Sequence, residues 1–401
     1  METARVTYNP LTPGYFADPY QHYAQLRADN PAHVTKFGFL ILTRQRDVVA
    51  AYEHPALSRD TRQWSEFADW RRGSTDGPLE RMMGNWLVMI DPPRHTPLRA
   101  IHTQVFTTEL VTAARPVVDA IVSELLAKAA ADGGADLVGQ FADLVPVYLI
   151  NHLLDLPRAD WDRFVPWSRA IALTTEPMLT TKVLQAGRDA LEGMYDYLGP
   201  LVDRRAKDPG DDALSGLAAG TADGRRMTRQ EVLDSVLFFY QAGHPTSTQL
   251  MALGVHSLLR HPGQLELLRA DPGLVPSAVE ELQRYDGPVQ MNDRVATHAV
   301  ELFGVELAAG QVVRLCIASA NRDEEHCPDP DRLDVTRPRT GHLGFGRGLH
   351  HCVGAALGRL QAEVAIGSLL AAAPGLRLTG AKLRYLPSVS NRGLTALPVE
   401  F

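Results

Sequence analysis

A chain of 401 residues with 45% apolar and 22% charged side chains has the composition of a globular protein with a sizeable core, which excludes disordered and fibrous classes. Its 40 basic residues are outnumbered by 47 acidic ones, and the formal charge of −7 argues against a general nucleic-acid binder. Three cysteines, Cys316, Cys327 and Cys352, are too few and too dispersed for a disulfide scaffold.

The first twenty residues carry no apolar core of signal-peptide length, and no uninterrupted apolar run of about 18 residues follows. The expectation is a cytoplasmic protein without a membrane anchor. No repeat or long linker divides the chain, which reads as a single domain over residues 1–401. Residues 33–60 predict a short hairpin and then a helix stopped by Pro55. Residues 61–90 read as irregular, with Trp64, Phe67, Trp70 and Trp86 in a segment long enough to be a lid or binding loop.

Helical spacing returns at 107–131 and 179–206. Thr228 and Glu231 form a capping box that opens a helix running to Arg260, where His261-Pro262 ends it. At 1.5 Å per residue, roughly 32 residues span about 48 Å, enough to cross a whole domain. In its middle stand Gln241, Ala242, Gly243, His244, Pro245, Thr246, Ser247 and Thr248, where the missing donor of Pro245 predicts a kink or an opened ladder. A second box, Ser277 with Glu280, predicts a short helix to Asp286-Gly287. Strand-like alternation fills 294–318 around Gly304 and Gly310, and an Ala/Leu-rich helix spans 353–373.

Cys352 therefore falls at a helix N-terminus, in Phe345-Gly346-Arg347-Gly348-Leu349-His350-His351-Cys352-Val353-Gly354. The positive end of the helix dipole and nearby backbone N–H groups favour a thiolate there, and the glycines let backbone approach a flat ligand. A buried structural cysteine in a glycine-rich turn is the bland alternative, and it leaves the surrounding pattern unexplained. Cys316, in an apolar strand, reads as core. Cys327 has no second metal ligand nearby in sequence, and no zinc or non-haem iron motif occurs among the histidines.

The Phe345–Gly354 stretch resembles the haem-binding loop of the cytochrome P450 family at every fixed position, and the resemblance extends in order from about residue 17 to the C-terminus. It implies a mainly α fold with a smaller β-rich lobe and a haem b (iron protoporphyrin IX) whose iron is ligated by Cys352. By the same resemblance, Phe345 shields the sulfur, Gly354 belongs to the loop, and His95, Arg99, Arg294 and His350 contact the propionates. Glu281, Arg284 and Arg332 resemble the family's buried triad. Ala242, Gly243 and Thr246 match the distal-helix run that makes room for dioxygen and hydrogen-bonds it, except that Pro245 replaces the usual acid.

The implied reaction is reductive activation of dioxygen and oxidation of a bound organic substrate. No Gly-x-Gly-x-x-Gly fingerprint opens a helix after a strand, so electrons are expected from a ferredoxin or flavodoxin-type partner with its reductase, docking near Arg94, Arg347 and Arg359. A haem-thiolate peroxygenase or isomerase and a non-enzymatic haem sensor are the alternatives. Residues 61–90, 165–195, Val289–Asn292 and Ser388-Val389 are expected to line the pocket. Trp64, Phe67, Trp70, Arg71, Arg72, Gln290 and Asn292 point to a sizeable polar or aromatic substrate such as a peptide or natural-product intermediate. With no acid at position 245, a substrate that brings its own acidic proton and undergoes oxidative coupling is expected, with hydroxylation as the main alternative.

Overall fold

The computed structural model describes residues 5–71, 73–176 and 179–401. The N-terminal part alternates helices α1 (Tyr20–Asp29), α2 (Gln45–Tyr52), α3 (Phe67–Trp70) and α4 (Pro78–Met83) with strands β1 (Ala32–Val34), β2 (Leu40–Leu42) and β3 (Leu57–Ser58). Helices α5 (His95–Val105) and α6 (Thr108–Ala131), strand β4 (Gly134–Asp136), and helices α7 (Leu144–Leu153), α8 (Trp161–Leu173), α9 (Thr181–Lys207) and α10 (Ala213–Ala219) follow. A small hairpin, β5 (Thr221–Ala222) and β6 (Arg225–Arg226), precedes α11 (Arg229–Arg260), α12 (Pro262–Ala270) and α13 (Val275–Asp286). Strands β7 (Met291–Ala296), β8 (Val300–Leu302), β9 (Val305–Leu307) and β10 (Val312–Cys316) lead through α14 (Ile317–Ala320) to α15 (Ala355–Ala372), β11 (Arg377–Leu378) and β12 (Pro398–Glu400).

The result is mainly helical with a smaller sheet region, as the resemblance implied. The main sheet has the order β1-β2-β10-β7-β3, parallel only between β2 and β10. Leu40, Leu42, Val313 and Leu315 bury one of its faces. Opposite Val313 in the antiparallel β7–β10 register stands Arg294, so the sheet carries that cation into the interior.

Helix α11 begins with the expected reciprocal cap: Thr228 Oγ1 accepts from the Glu231 N–H at 3.2 Å, and the Glu231 carboxylate accepts from the Thr228 N–H at 2.9 Å. Helices α7, α8, α9, α13 and α15 pack around it. Helix α15 is long and apolar enough to cross a membrane by length and composition, but it packs against α6, α11 and α13 as part of the core.

Two expectations are corrected. Residues 61–90 are not irregular throughout, because α3 and α4 form within them, and Trp86 is fully buried against Phe238 rather than on a lid. The Ser277–Glu280 box does not form. Helix α13 starts at Val275 with Pro276 in its first turn, where a missing N–H costs nothing, and Ser277 Oγ donates to the Leu274 and Val335 carbonyls at 2.9 Å. At Pro245 the helix α11 continues on both sides but lacks the bond from residue 245 to the Gln241 carbonyl, the opened ladder that the missing donor predicts.

Candidate active site

Most of α11 is buried, from Glu231 to Phe238 and again from Ser247 to Leu258, yet Gln241, Ala242, Gly243, Pro245 and Thr246 are only half-buried. The helix thus bares one short stretch at mid-length, lined by small side chains. A Cβ at Gly243 would meet only Ile150, at 3.5 Å. The Thr246 hydroxyl donates to the Ala242 carbonyl at 2.6 Å, so its proton is held within the helix while its lone pairs stay free. His244 faces the other way, buried, with Nδ1 2.7 Å from Ser168 Oγ and Nε2 2.5 Å from Asp143 Oδ1. The sequence reading had no role for that histidine.

The Cys352 loop is shaped by its own backbone. Gly346 and Gly348 take φ of +72° and +66°, open to glycine at little cost, and the Cys352 N–H closes the loop on the Phe345 carbonyl at 2.9 Å. Gly354 is the N-cap of α15 at an ordinary φ of −90°, so backbone strain does not call for glycine there. Phe345 stacks beneath the Arg359 guanidinium at 4.2 Å.

Cys352 is exposed, whereas Cys316 and Cys327 are buried. Its sulfur still lies deep enough among protein atoms that desolvation pushes the thiol up, while the Gly354 backbone N–H and the Arg99 and Arg359 guanidiniums draw it down. Those three groups are the ones that would stabilise a thiolate. Burial pushes Cys316 to about 12, the behaviour of an inert core thiol.

Cations gather on the sheet side of the loop. His95 is fully buried with its ring centroid 4.6 Å from that of His350, and neither of its ring nitrogens has a hydrogen-bond partner among the described residues. Burial, with His350 and Arg99 nearby, lowers its pKa to about 4. Arg294 and Arg59, both buried, donate to the Asp293 carbonyl at 3.0 and 2.7 Å. Among the described residues neither has a carboxylate within salt-bridge distance, since Asp293 itself is paired with Arg314. Desolvation and the Arg59 charge lower Arg294 to about 10. His350 Nε2 lies 3.3 Å from Asp91, whose other bonds come from the Ser58 hydroxyl and the Arg59 N–H.

Buried cations without counter-ions are costly, and a dianionic ligand that supplies two carboxylates would offset that cost. The set Arg59, His95, Arg294 and His350, with Arg99 nearer the sulfur, therefore fits the propionate side of a haem whose iron faces Cys352. Arg59 was missed in the sequence because it belongs to no motif and only the β3–β7 pairing brings it beside Arg294.

The structure redraws the triad. Arg284 forks onto Glu281 at 2.7 and 2.8 Å, and the pair is buried. Its third member is Arg337, whose Nε donates to Glu281 at 3.1 Å. Arg332 points to solvent and pairs with Asp334, offering only its carbonyl to Arg284. Through the Asn321 carbonyl, Arg284 is tied to the residue whose side chain accepts the Leu343 N–H at 2.7 Å, at the start of the cysteine loop.

The expected docking cations are also engaged: Arg94 with Gly84, Asn85 and Glu231, Arg347 with Glu53, and Arg359 with Glu280. Of the expected pocket residues, Trp64 and Trp70 are half-buried neighbours, but Phe67 is buried and Arg71 is fully buried on Glu80 and the Thr174 carbonyl. Gln290 bonds inward to Gly287 and Tyr23, and Asn292 to Tyr52. Arg72 lies outside the described residues.

Fold and site together place the chain among haem-dependent monooxygenases. It belongs to the cytochrome P450 family, whose sequence model matches residues 178–372. It is 37% identical to the cytochrome P450 monooxygenase PikC of Streptomyces venezuelae, over 96% of this chain and 92% of that one. It is 40% identical to the mycinamicin IV hydroxylase/epoxidase of Micromonospora griseorubida, over 81% and 82% of the two chains. The crystal structure of CalO2 superposes with a TM-score of 0.92 at 32% identity, covering 99% of both chains.

Proposed function

We propose that this monooxygenase oxidises a sizeable secondary metabolite by hydroxylation or epoxidation, with haem held between the bared stretch of α11 and the Cys352 loop. The observation that carries the proposal is the set of buried, unpaired cations Arg59 and Arg294 with the orphaned ring of His95, a receptor for two carboxylates beside an exposed cysteine. The activity named for the mycinamicin IV relative supports the reaction type. Once bound, the haem supplies the activation of dioxygen with two electrons and two protons. Cys352 would hold the iron through its sulfur. Arg59, Arg294, His95 and His350 would hold the propionate edge. Gly243 and Ala242 would leave space beside α11, and Thr246, whose hydroxyl donates to the Ala242 carbonyl, would present its oxygen as an acceptor toward that space.

Replacing Cys352 by Ser is expected to abolish the strongly red-shifted Soret band of the reduced carbon-monoxide adduct, because only a thiolate donates enough charge to the iron. Persistence of that band in the variant refutes the ligand assignment. A second reading, oxidative coupling within an aromatic substrate, is favoured by Pro245, which cannot relay a proton. Turnover under labelled dioxygen separates the two, since hydroxylation or epoxidation leaves one labelled oxygen in the product and coupling leaves none. Electrons would come from a ferredoxin with its reductase.

A further inference from the structure

Three segments distant in sequence meet beside the bared stretch of α11. From α11, Gln241 Nε2 donates to Thr175 Oγ1 at 3.2 Å, just beyond the end of α8. From the N-terminal part, the Trp70 indole N–H donates to the Glu176 carbonyl at 3.2 Å. From the C-terminal hairpin, closed by the Tyr385–Leu394 bridge and joined to Val289 through Asn391, the residues Ser388 and Asn391 turn onto the Glu176 side chain.

Glu176 is therefore a half-buried carboxylate at a three-way junction, and its side-chain donors among the described residues are neutral. Asn391 Nδ2 lies 3.4 Å from Oε1, and the Ser388 hydroxyl also bonds to it. No cation pairs with it among the described residues. Arg71, which follows Trp70 in sequence and stacks over it at 5.3 Å, is consumed by Glu80 and the Thr174 carbonyl. Burial pushes the Glu176 carboxyl up, and the two neutral hydrogen bonds only partly oppose it. A carboxylate removed from water without a counter-charge is costly unless a partner arrives. The half-buried indoles of Trp64 and Trp70, 6.0 Å apart, add π-faces of the kind that attract cations.

We propose that Glu176 is a specificity-determining residue that anchors a cationic amine on the substrate, with Trp64 and Trp70 forming the aromatic side of the same subsite. The proposal rests on the reading of the bared Gln241–Thr246 stretch of α11 as one wall of the substrate site. It assigns the substrate a basic nitrogen, a chemistry that Gln290 and Asn292, both bonded within the fold, do not provide for.

The test uses the haem-loaded protein and a pair of isosteric probes, benzyltrimethylammonium and neopentylbenzene, titrated by calorimetry against wild type and Glu176→Gln. The quaternary nitrogen has no lone pair and cannot bind iron, so any preference reports the pocket. Wild type is expected to bind the cation about tenfold more tightly than its neutral isostere. In Glu176→Gln that preference should fall to the roughly twofold to fivefold the indoles alone supply, while neutral binding stays within about twofold, since the amide keeps the volume. Equal affinities in wild type, or a preference undiminished in Glu176→Gln, overturn the proposal. If the variant fails to fold, the wild-type ratio decides alone. Recording the carbon-monoxide band of each protein keeps the failures apart: its absence from wild type sinks the haem-thiolate reading, whereas its presence without cation preference sinks only the amine anchor.

Discussion

Arg59 and Arg294 show how much a single side chain's surroundings matter. Each is ordinary in sequence, but the sheet places both guanidiniums in the interior against one backbone carbonyl and leaves them short of counter-charge. Hydrogen bonds to charged groups contribute about 1.5–3 kcal/mol each, so Arg59→Gln should release haem about tenfold faster than wild type, as read by transfer to apomyoglobin. An unchanged release rate would remove Arg59 from the haem site. Thr246 teaches the converse, since its bond to Ala242 is the back-bond common for helix-interior threonines, and only its place on the bared stretch singles it out for the role proposed above.

At the scale of elements, α13 is the clamp. Its Glu281 gathers Arg284, Arg337 and the Asp334 N–H, and its Glu280 gathers Arg359 and His342, so one helix holds both the segment before the cysteine loop and the helix after it. Without Arg337, Glu281 keeps its fork to Arg284 but loses a charge-assisted hydrogen bond of about 1.5–3 kcal/mol, and the Pro328, Asp329 and Arg332 carbonyls lose their donor. Arg337→Ala should therefore lower the urea midpoint markedly, whereas Arg332→Ala, which breaks only an exposed pair, should shift stability by about 0.5 kcal/mol or less. Equal effects would restore Arg332 to the triad.

Glu280 adds a pH dependence. Burial raises its pKa, but His342 and Arg359 outweigh that and bring it to about 2, below the ordinary value of 4.5. The folded state thus binds its proton less readily than the unfolded chain. The stabilisation is complete above pH 4.5 and disappears as pH falls toward 2. At about 1.4 kcal/mol per pKa unit it is on the order of 3 kcal/mol. Urea titrations at pH 7 and pH 3 should show Glu280→Gln less stable at the first and closer to wild type at the second.

For the whole molecule, the cysteine loop lies near a surface where Arg347 pairs with Glu53 and Leu349 is largely exposed, with Arg359 already committed to Glu280. With those cations paired, docking of a redox partner would depend on apolar contact at Leu349 as well as on charge. No dinucleotide fingerprint accompanies the fold, so a nicotinamide donor alone should not sustain turnover, and adding a ferredoxin with its reductase should. Sustained oxidation with the nicotinamide donor alone would contradict the assignment of an external electron source.

The local signals in the chain were enough for the glycine-rich cysteine loop and for the capped start and end of α11, because these rest on backbone geometry and helix periodicity, while the mainly helical class came from the family resemblance. Tertiary structure alone decided that Arg337 rather than Arg332 joins Glu281, that Arg59 joins Arg294, that Trp86, Gln290 and Arg71 turn inward, and that Glu176 stands at a junction of three segments. The physical reason is common to all four. The direction of a side chain beyond a loop depends on which distant element packs against it, and a shift of one residue in a strand, or two in a helix, turns the same residue from solvent to core.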